Sequence, residues 1–311
     1  MSGPDRIDVH HHIVPPGYAD WLRSKGVGVD GPPLPGWSDT DALAVMDRQG
    51  IRAAVLSLST PGVHPGEPDE ARAKAREVNE YTADVVKRHP GRFGFFATLT
   101  LPDVEGAIAE AAYAFDELNA DGVVLLANTR GVYLGDAAAD PLFAELDRRS
   151  AVVFVHPGEL PAPPVPGVPP VAADYLLDTT RAALSLIASG TLARHPSLKV
   201  VLPHGGGFLP YIAFRAAPIL AGGGDPKPAL AALRRFYFDT GLTTTPAALP
   251  SLLAFSDPQH LFYGSDWPYA PEPFLEYFGT LFENYPMEAA ERDRINRGNA
   301  AALFPHLAKN T

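Results

Sequence analysis

Short apolar runs recur along the chain, and between them lie stretches whose apolar residues return every three or four positions. The runs are RIDVH (6–10), AAVLSLS (53–59), RFGFFATL (92–99), GVVLLAN (122–128), AVVFVH (151–156), KVVLPH (199–204), RFYFDT (235–240) and HLFYGSD (260–266). Near-continuous apolar character over so few residues marks strands buried on both faces of a parallel sheet. The intervening stretches read as helices. Residues 69–88 carry Ala71, Ala75, Val78, Thr82 and Val85 at helical spacing, and His89-Pro90-Gly91 ends the run. Residues 104–118 and 140–149 follow the same style, and 179–194 reads as a helix with Asp178 as its N-cap. Eight strand–helix alternations without a break in composition predict one α/β domain over residues 1–311, a (β/α)8 TIM barrel.

Two stretches exceed what a bare barrel needs. Residues 15–37 and the proline-rich 157–173 each follow a strand that ends in histidine. Long loops after barrel strands build the mouth of the site. A floppy linker is the competing reading of the second stretch, but its prolines stiffen it.

Composition narrows the chemistry. The 311 residues are 46% hydrophobic and 20% charged, which suits a soluble globular protein with a sizeable core. A formal charge of -11 without any basic run argues against nucleic acid or an anionic membrane as partner. Cysteine is absent, so disulfides and thiolate metal sites are excluded and any metal must be held by imidazole and carboxylate. The N-terminus MSGPDRIDV has no apolar core of signal-peptide length, and no window approaches a membrane span. A cytoplasmic location is expected.

Candidate chemistry gathers at the ends of the strands. The first run continues into His10, His11 and His12. A purification tag is the trivial explanation, but these histidines sit inside an apolar strand without a linker. Residues two apart in a strand share a face, so His10 and His12 point one way and His11 the other. The fifth run ends in His156, the sixth in His204 and the eighth in Asp266. In a parallel barrel all of these ends ring one mouth. Singly, each is more often a structural residue; together they suit a divalent cation with a position open for substrate or water.

The combined pattern resembles the amidohydrolase superfamily, in particular its amidohydrolase 2 branch. That branch includes aminocarboxymuconate-semialdehyde decarboxylase, γ-resorcylate decarboxylase and 6-methylsalicylate decarboxylase. The matching pieces are DVHHH (8–12), FVHPG (154–158), LKVVLPHGGG (198–207) and YGSDWP (263–268), with DTTRA (178–182) and SGTLARHP (189–196) between them. The resemblance implies one divalent metal per chain, zinc in the first place and manganese in the second, held by His10, His12, His156 and Asp266, with no organic cofactor. It implies His204 as acid/base residue, joined in catalysis by Asp266. It also implies Arg215, eleven residues after His204, as a substrate-binding arginine that reaches into a neighbouring subunit, and hence a homodimer or higher homo-oligomer. A surface salt bridge is the competing reading of Arg215.

Two departures from the family refine this. The fourth run has no lysine, which argues against a carboxylated-lysine binuclear centre. In the segment TDALAVMDRQG (40–50), Ala42, Leu43, Ala44 and Val45 stand just before the M-D-x-x-G part, where a family enzyme has a second carboxylate-binding arginine; its absence there favours a monocarboxylate such as a substituted salicylate. Trp37, Phe96, Asn128, Tyr175, Phe208, Trp267 and Tyr269 are candidates for the pocket wall, with Trp37, Phe208 and Trp267 taken as substrate contacts; each is equally ordinary core filling. Arg130 is expected in solvent, and His64, His89, His195, His260 and His306 are expected to be structural. Gly205–Gly207 allow close backbone approach; a phosphate cradle is the weaker alternative, since no Lys-Ser/Thr follows. The leading expectation is a metal-dependent, non-oxidative decarboxylase of a small salicylate-type or related unsaturated carboxylic acid. A metal-dependent hydrolase of a lactone, ester or amide is the alternative.

Overall fold

A computed structural model describes residues 5–27 and 34–308, so part of the long stretch 15–37 lies outside the described residues. All eight runs form strands: β1 (Arg6–His12), β2 (Ile51–Ser57), β3 (Phe93–Thr98), β4 (Gly122–Leu126), β5 (Val152–His156), β6 (Lys199–Leu202), β7 (Tyr237–Asp239) and β8 (Leu261–Phe262). They pair in parallel and in chain order. Parallel bridges from Asp8 to Tyr263 and from His11 to Trp267 close the last strand onto the first. The architecture is the expected (β/α)8 barrel.

Helices cover the outside: α1 (Tyr18–Ser24), α2 (Asp39–Gln49), α3 (Pro68–Arg88), α4 (Val104–Asp116), α5 (Asp140–Arg148), α6 (Asp174–Ala188), α7 (Thr191–Arg194), α8 (Leu209–Leu220), α9 (Lys227–Leu233), α10 (Ala248–Phe255) and α11 (Glu272–Asn284). Helix α3 shows why the local sequence dictates such an element. Pro68 opens it, Asp69 and Glu70 occupy its first turn, and Lys87 and Arg88 its last, each on the side the helix dipole favours. Its buried stripe, Ala71, Ala75, Val78, Thr82 and Val85, is the one the spacing predicts.

Two core layers result. Inside the barrel, Ile7, Val9, Val55, Phe96, Phe154 and Phe262 pack with Phe304 and Leu307 from the C-terminal segment. A second layer fills the space between strands and helices. Both faces of every strand are therefore dry, which explains the unbroken apolar runs.

The boundaries differ from expectation in three places. The stretch 179–194 is two helices, because the chain breaks at Ser189 and Gly190 (φ 75°), and α6 begins earlier, at Asp174. Asp178 therefore lies inside α6 with a fully buried side chain and is not its N-cap. The fourth run ends at Leu126, and residues 128–129 pair antiparallel with 132–133 in a small hairpin. The sixth and eighth strands stop short of His204 and Asp266, which stand on the turns that follow.

Candidate metal centre and active site

Strict alternation along β1 would put His10 opposite Ile7 and Val9. A register shift between Asp8 and His11 changes the phase. Ile7 and Val9 fill the barrel interior, while His10 and His12 both turn into the mouth, their Nε2 atoms 3.1 Å apart. His11 faces the wall, as expected: its Nδ1 meets Asp8 Oδ2 at 2.9 Å and its ring lies 4.9 Å from that of Trp267.

The supports behind the site fix the tautomers. His12 Nδ1 lies 3.1 Å from the Ser57 carbonyl, and His156 Nδ1 lies 2.9 Å from the Pro157 carbonyl. A carbonyl only accepts, so both rings donate Nδ1–H and leave a bare lone pair on Nε2. His10 Nδ1 faces the Asp239 carboxylate at 2.9 Å. Asp266 Oδ1 stands 3.2 Å from His10 Nε2 and 3.1 Å from His12 Nε2. The candidate ligand atoms of His10, His12, His156 and Asp266 all lie within 4.8 Å of one another, and all four residues are buried.

This donor set fits a divalent cation. Two ligands about 2.1 Å from one ion are about 3.0 Å apart at a right angle and about 3.4 Å apart at the tetrahedral angle. The His10–His12–Asp266 separations of 3.1–3.2 Å lie between these. Converging lone pairs beside a carboxylate repel one another unless a positive charge sits among them. Burial opposes a charge on His10, but the carboxylates of Asp239 and Asp266 hold its pKa up at about 10. His12 and His156 are pushed down, chiefly by burial. Burial also works against ionised Asp266, yet the charge of the neighbouring His10 holds it well below the usual carboxylate range.

His204 follows β6 on a tight turn. His204 itself (φ 53°) and Gly205, Gly206 and Gly207 are all left-handed. A Cβ at Gly206 would stand 2.7 Å from the Phe238 ring, and one at Gly207 would stand 2.2 Å from the Leu176 carbonyl oxygen. The glycine run thus serves this turn, which brings His204 Nε2 to 3.3 Å from Asp266 Oδ2. Asp266 is also left-handed (φ 64°), and its N–H donates to the His10 carbonyl at 2.8 Å.

Sequence reasoning missed the carboxylates behind the site. Asp239 Oδ1 accepts from the N–H groups of His204 (3.0 Å) and Gly241 (2.8 Å), while Oδ2 faces His10. One side chain thereby positions both a candidate ligand and the candidate acid/base histidine. Asp8 Oδ1 accepts from the N–H of His10 and of Ser265, 3.0 Å each, tying β1 to the Asp266 turn. The signal for Asp239 was present, since its run ends in an acid at the same rim.

The pocket-wall candidates divide. Tyr269 stands edge-on to His12 at 5.2 Å, and its hydroxyl is raised by burial and by the Asp266 charge. Tyr175 is raised by the same two causes. Phe208 caps the start of α8 and stays partly exposed. Trp267 is a correction: its ring packs on His11, in the layer between strands and helices, so it faces away from the mouth. Trp37 likewise packs edge-on against Tyr81 of α3 in that outer layer, and Phe96 lies in the barrel interior. Asn128 is saturated: its Nδ2 donates to the Glu159 carbonyl and Asp178 Oδ1, and its Oδ1 accepts from the Gly131 N–H. Arg215 is exposed on α8 and makes no ion pair or hydrogen bond among the described residues, so the salt-bridge reading finds no partner there. Arg130 is exposed, and donates to the His64 carbonyl. His89 and His195 pair with Asp39 and Asp140, as structural histidines do.

A family model described as Amidohydrolase matches residues 7–306. The chain is 39% identical to a decarboxylase designated yanB from Aspergillus niger, over 97% of this chain and 88% of that protein. It is 36% identical to a 6-methylsalicylic acid decarboxylase from Penicillium expansum, over 97% of each. A solved dihydroxybenzoic acid decarboxylase from Polaromonas, with bound manganese and the inhibitor 2-nitroresorcinol, superposes with a TM-score of 0.79 at 24% identity, covering 100% of this chain and 98% of that one.

Proposed function

The chain belongs to the amidohydrolase family, and from that premise we propose that it is a metal-dependent, non-oxidative decarboxylase of a salicylate-type carboxylic acid. The observation that carries this reading is the gathering of one ligand atom each from His10, His12, His156 and Asp266 within 4.8 Å of one another at the mouth of the barrel. The named activities of the two similar fungal decarboxylases support the reaction class.

His10, His12, His156 and Asp266 would hold the ion. A bound divalent cation orients a carboxylate and a neighbouring hydroxyl and neutralises their charge. The protein's own part is to add a proton to the ring carbon that bears the carboxylate. The carbon–carboxylate bond then breaks, CO2 leaves, and its electron pair restores the aromatic ring. That proton reaches the carbon through the His204–Asp266 pair. Asp239 keeps His204 and His10 in register during this step. Tyr175, Tyr269 and Phe208 wall a flat substrate. Arg215, unpaired on the outer face of α8, meets the substrate carboxylate in a second copy of the chain, making the working unit a homodimer. One ion per chain, zinc or manganese, is consistent with a fourth strand that lacks lysine. Among the described residues no helix is long and apolar enough to cross a membrane, and we place the enzyme in the cytoplasm.

The deciding experiment is product analysis of the metal-loaded protein on a panel of ortho-hydroxybenzoates that includes 6-methylsalicylate. The expected products are CO2 and the corresponding phenol. Cleavage of lactones or amides, with no loss of carboxylate across the panel, would favour the hydrolase instead.

A further inference from the structure

Two of the candidate ligands have a visible support: the Asp239 carboxylate stands directly behind His10, and the Ser57 carbonyl stands behind His12. The support of His156 is its own next peptide. The Pro157 carbonyl accepts Nδ1–H of His156 at 2.9 Å, and the N–H of the same peptide, that of Gly158, donates to Asp178 Oδ2 at 2.9 Å. The other oxygen of Asp178 accepts from Asn128 Nδ2 and from the Tyr133 hydroxyl, both at 2.8 Å. Asn128 also donates to the Glu159 carbonyl, one residue further along. Asp178 is fully buried, and burial pushes its carboxyl up while the Gly158, Tyr133 and Asn128 donors pull it back.

We infer that Asp178 is a positioning residue for His156, acting through the Pro157–Gly158 peptide. The bonds run in one line: carboxylate to N–H, across the amide to C=O, and on to Nδ1–H. A negative charge on the N–H side polarises the amide and makes its carbonyl a stronger acceptor. The ring is then locked with Nδ1 as donor, and Nε2 becomes the more basic ligand. All three histidines thus have an anionic or carbonyl acceptor behind them, one of them at one peptide's remove. The same clamp anchors the start of the proline-rich stretch 157–173, so the loop cannot pull His156 out of the mouth.

This inference rests on the reading of His156 as a metal ligand. It is tested by the affinity of the metal-stripped protein for manganese alone, measured by competition with a chelator. Asp178→Asn keeps the shape but turns one oxygen into a donor facing other donors. It is expected to weaken manganese binding about 10- to 100-fold. Tyr133→Phe removes one hydrogen bond from Asp178 but leaves the Gly158 bond, and is expected to stay near the wild-type affinity. A folded Asp178→Asn protein that binds manganese as the wild type does overturns the inference. Should Asp178→Asn not fold, Gly158→Pro deletes the one N–H concerned and must reproduce the weakening; wild-type affinity there overturns it equally. Failure of the underlying reading looks different, since the wild-type protein would then bind no manganese.

Discussion

Replacing Asp239 by asparagine probes the site with almost no change of shape. Asp239 Oδ1 accepts two backbone N–H groups, from His204 and Gly241, and the amide oxygen of asparagine takes over both. The amide nitrogen then occupies the place of Oδ2, 2.9 Å from His10 Nδ1. Two donors would face each other there. His10 escapes by giving up its Nδ1 proton and keeping the one on Nε2, which points at the candidate ion position and covers the lone pair. Recovering the ligating tautomer forfeits that hydrogen bond in a fully buried setting, a cost of about 1–3 kcal/mol. At about 1.4 kcal/mol per factor of ten, metal affinity falls roughly 5- to 150-fold. Equilibrium dialysis of the metal-stripped variant measures this, and circular dichroism verifies the fold. Asp239→Ala is a poor substitute, because it orphans two buried N–H groups and mixes stability with binding. Metal affinity equal to wild type in a folded Asp239→Asn protein would refute the assigned tautomer and with it the ligand set.

Three further outcomes are expected. Because Asp239 and Asp266 hold His10 up at about 10, the metal-stripped site carries a proton at neutral pH that a metal must displace; calorimetry in buffers of different ionisation enthalpy should find about one proton released per ion, and no buffer dependence would count against the site. Asp266→Ala should lose metal and turnover together, whereas His204→Asn should keep the metal and lose turnover by about 10²–10⁴-fold, with single-turnover assays in deuterated water showing label at the vacated ring carbon of the wild-type product. The hydroxyl of Tyr263, fully buried beside the Arg6 guanidinium, is pushed from near 10 up to about 12 by burial. Between those values the unfolded chain has released a proton that the folded one retains, so stability falls as pH rises through that window, by at most about 3 kcal/mol; Tyr263→Phe should flatten that decline in alkaline urea melts, and an unchanged slope would contradict the assignment.

The sequence determined the barrel because both faces of each strand are buried. That leaves near-continuous apolar runs such as FFAT and VVFVH, whose order along the chain is also their order around the sheet. It equally marked the rim, since His10, His12, His156, His204 and Asp266 all come at the close of such runs. The carboxylates behind the site were another matter. Asp8, Asp178 and Asp239 look like any strand, cap or turn acid, because what distinguishes them is which N–H faces each oxygen. For Asp178 the partners are 20, 45 and 50 residues away. The direction of Trp267 was hidden for the same reason: the turn after β8 bridges to β1 and lays its ring on His11, at the wall behind the site. Periodicity records which residues must be dry, and one strand's neighbours are enough to set it. Hydrogen-bond partnership and side-chain aim depend on where eight strand ends meet, and only the closed barrel fixes that.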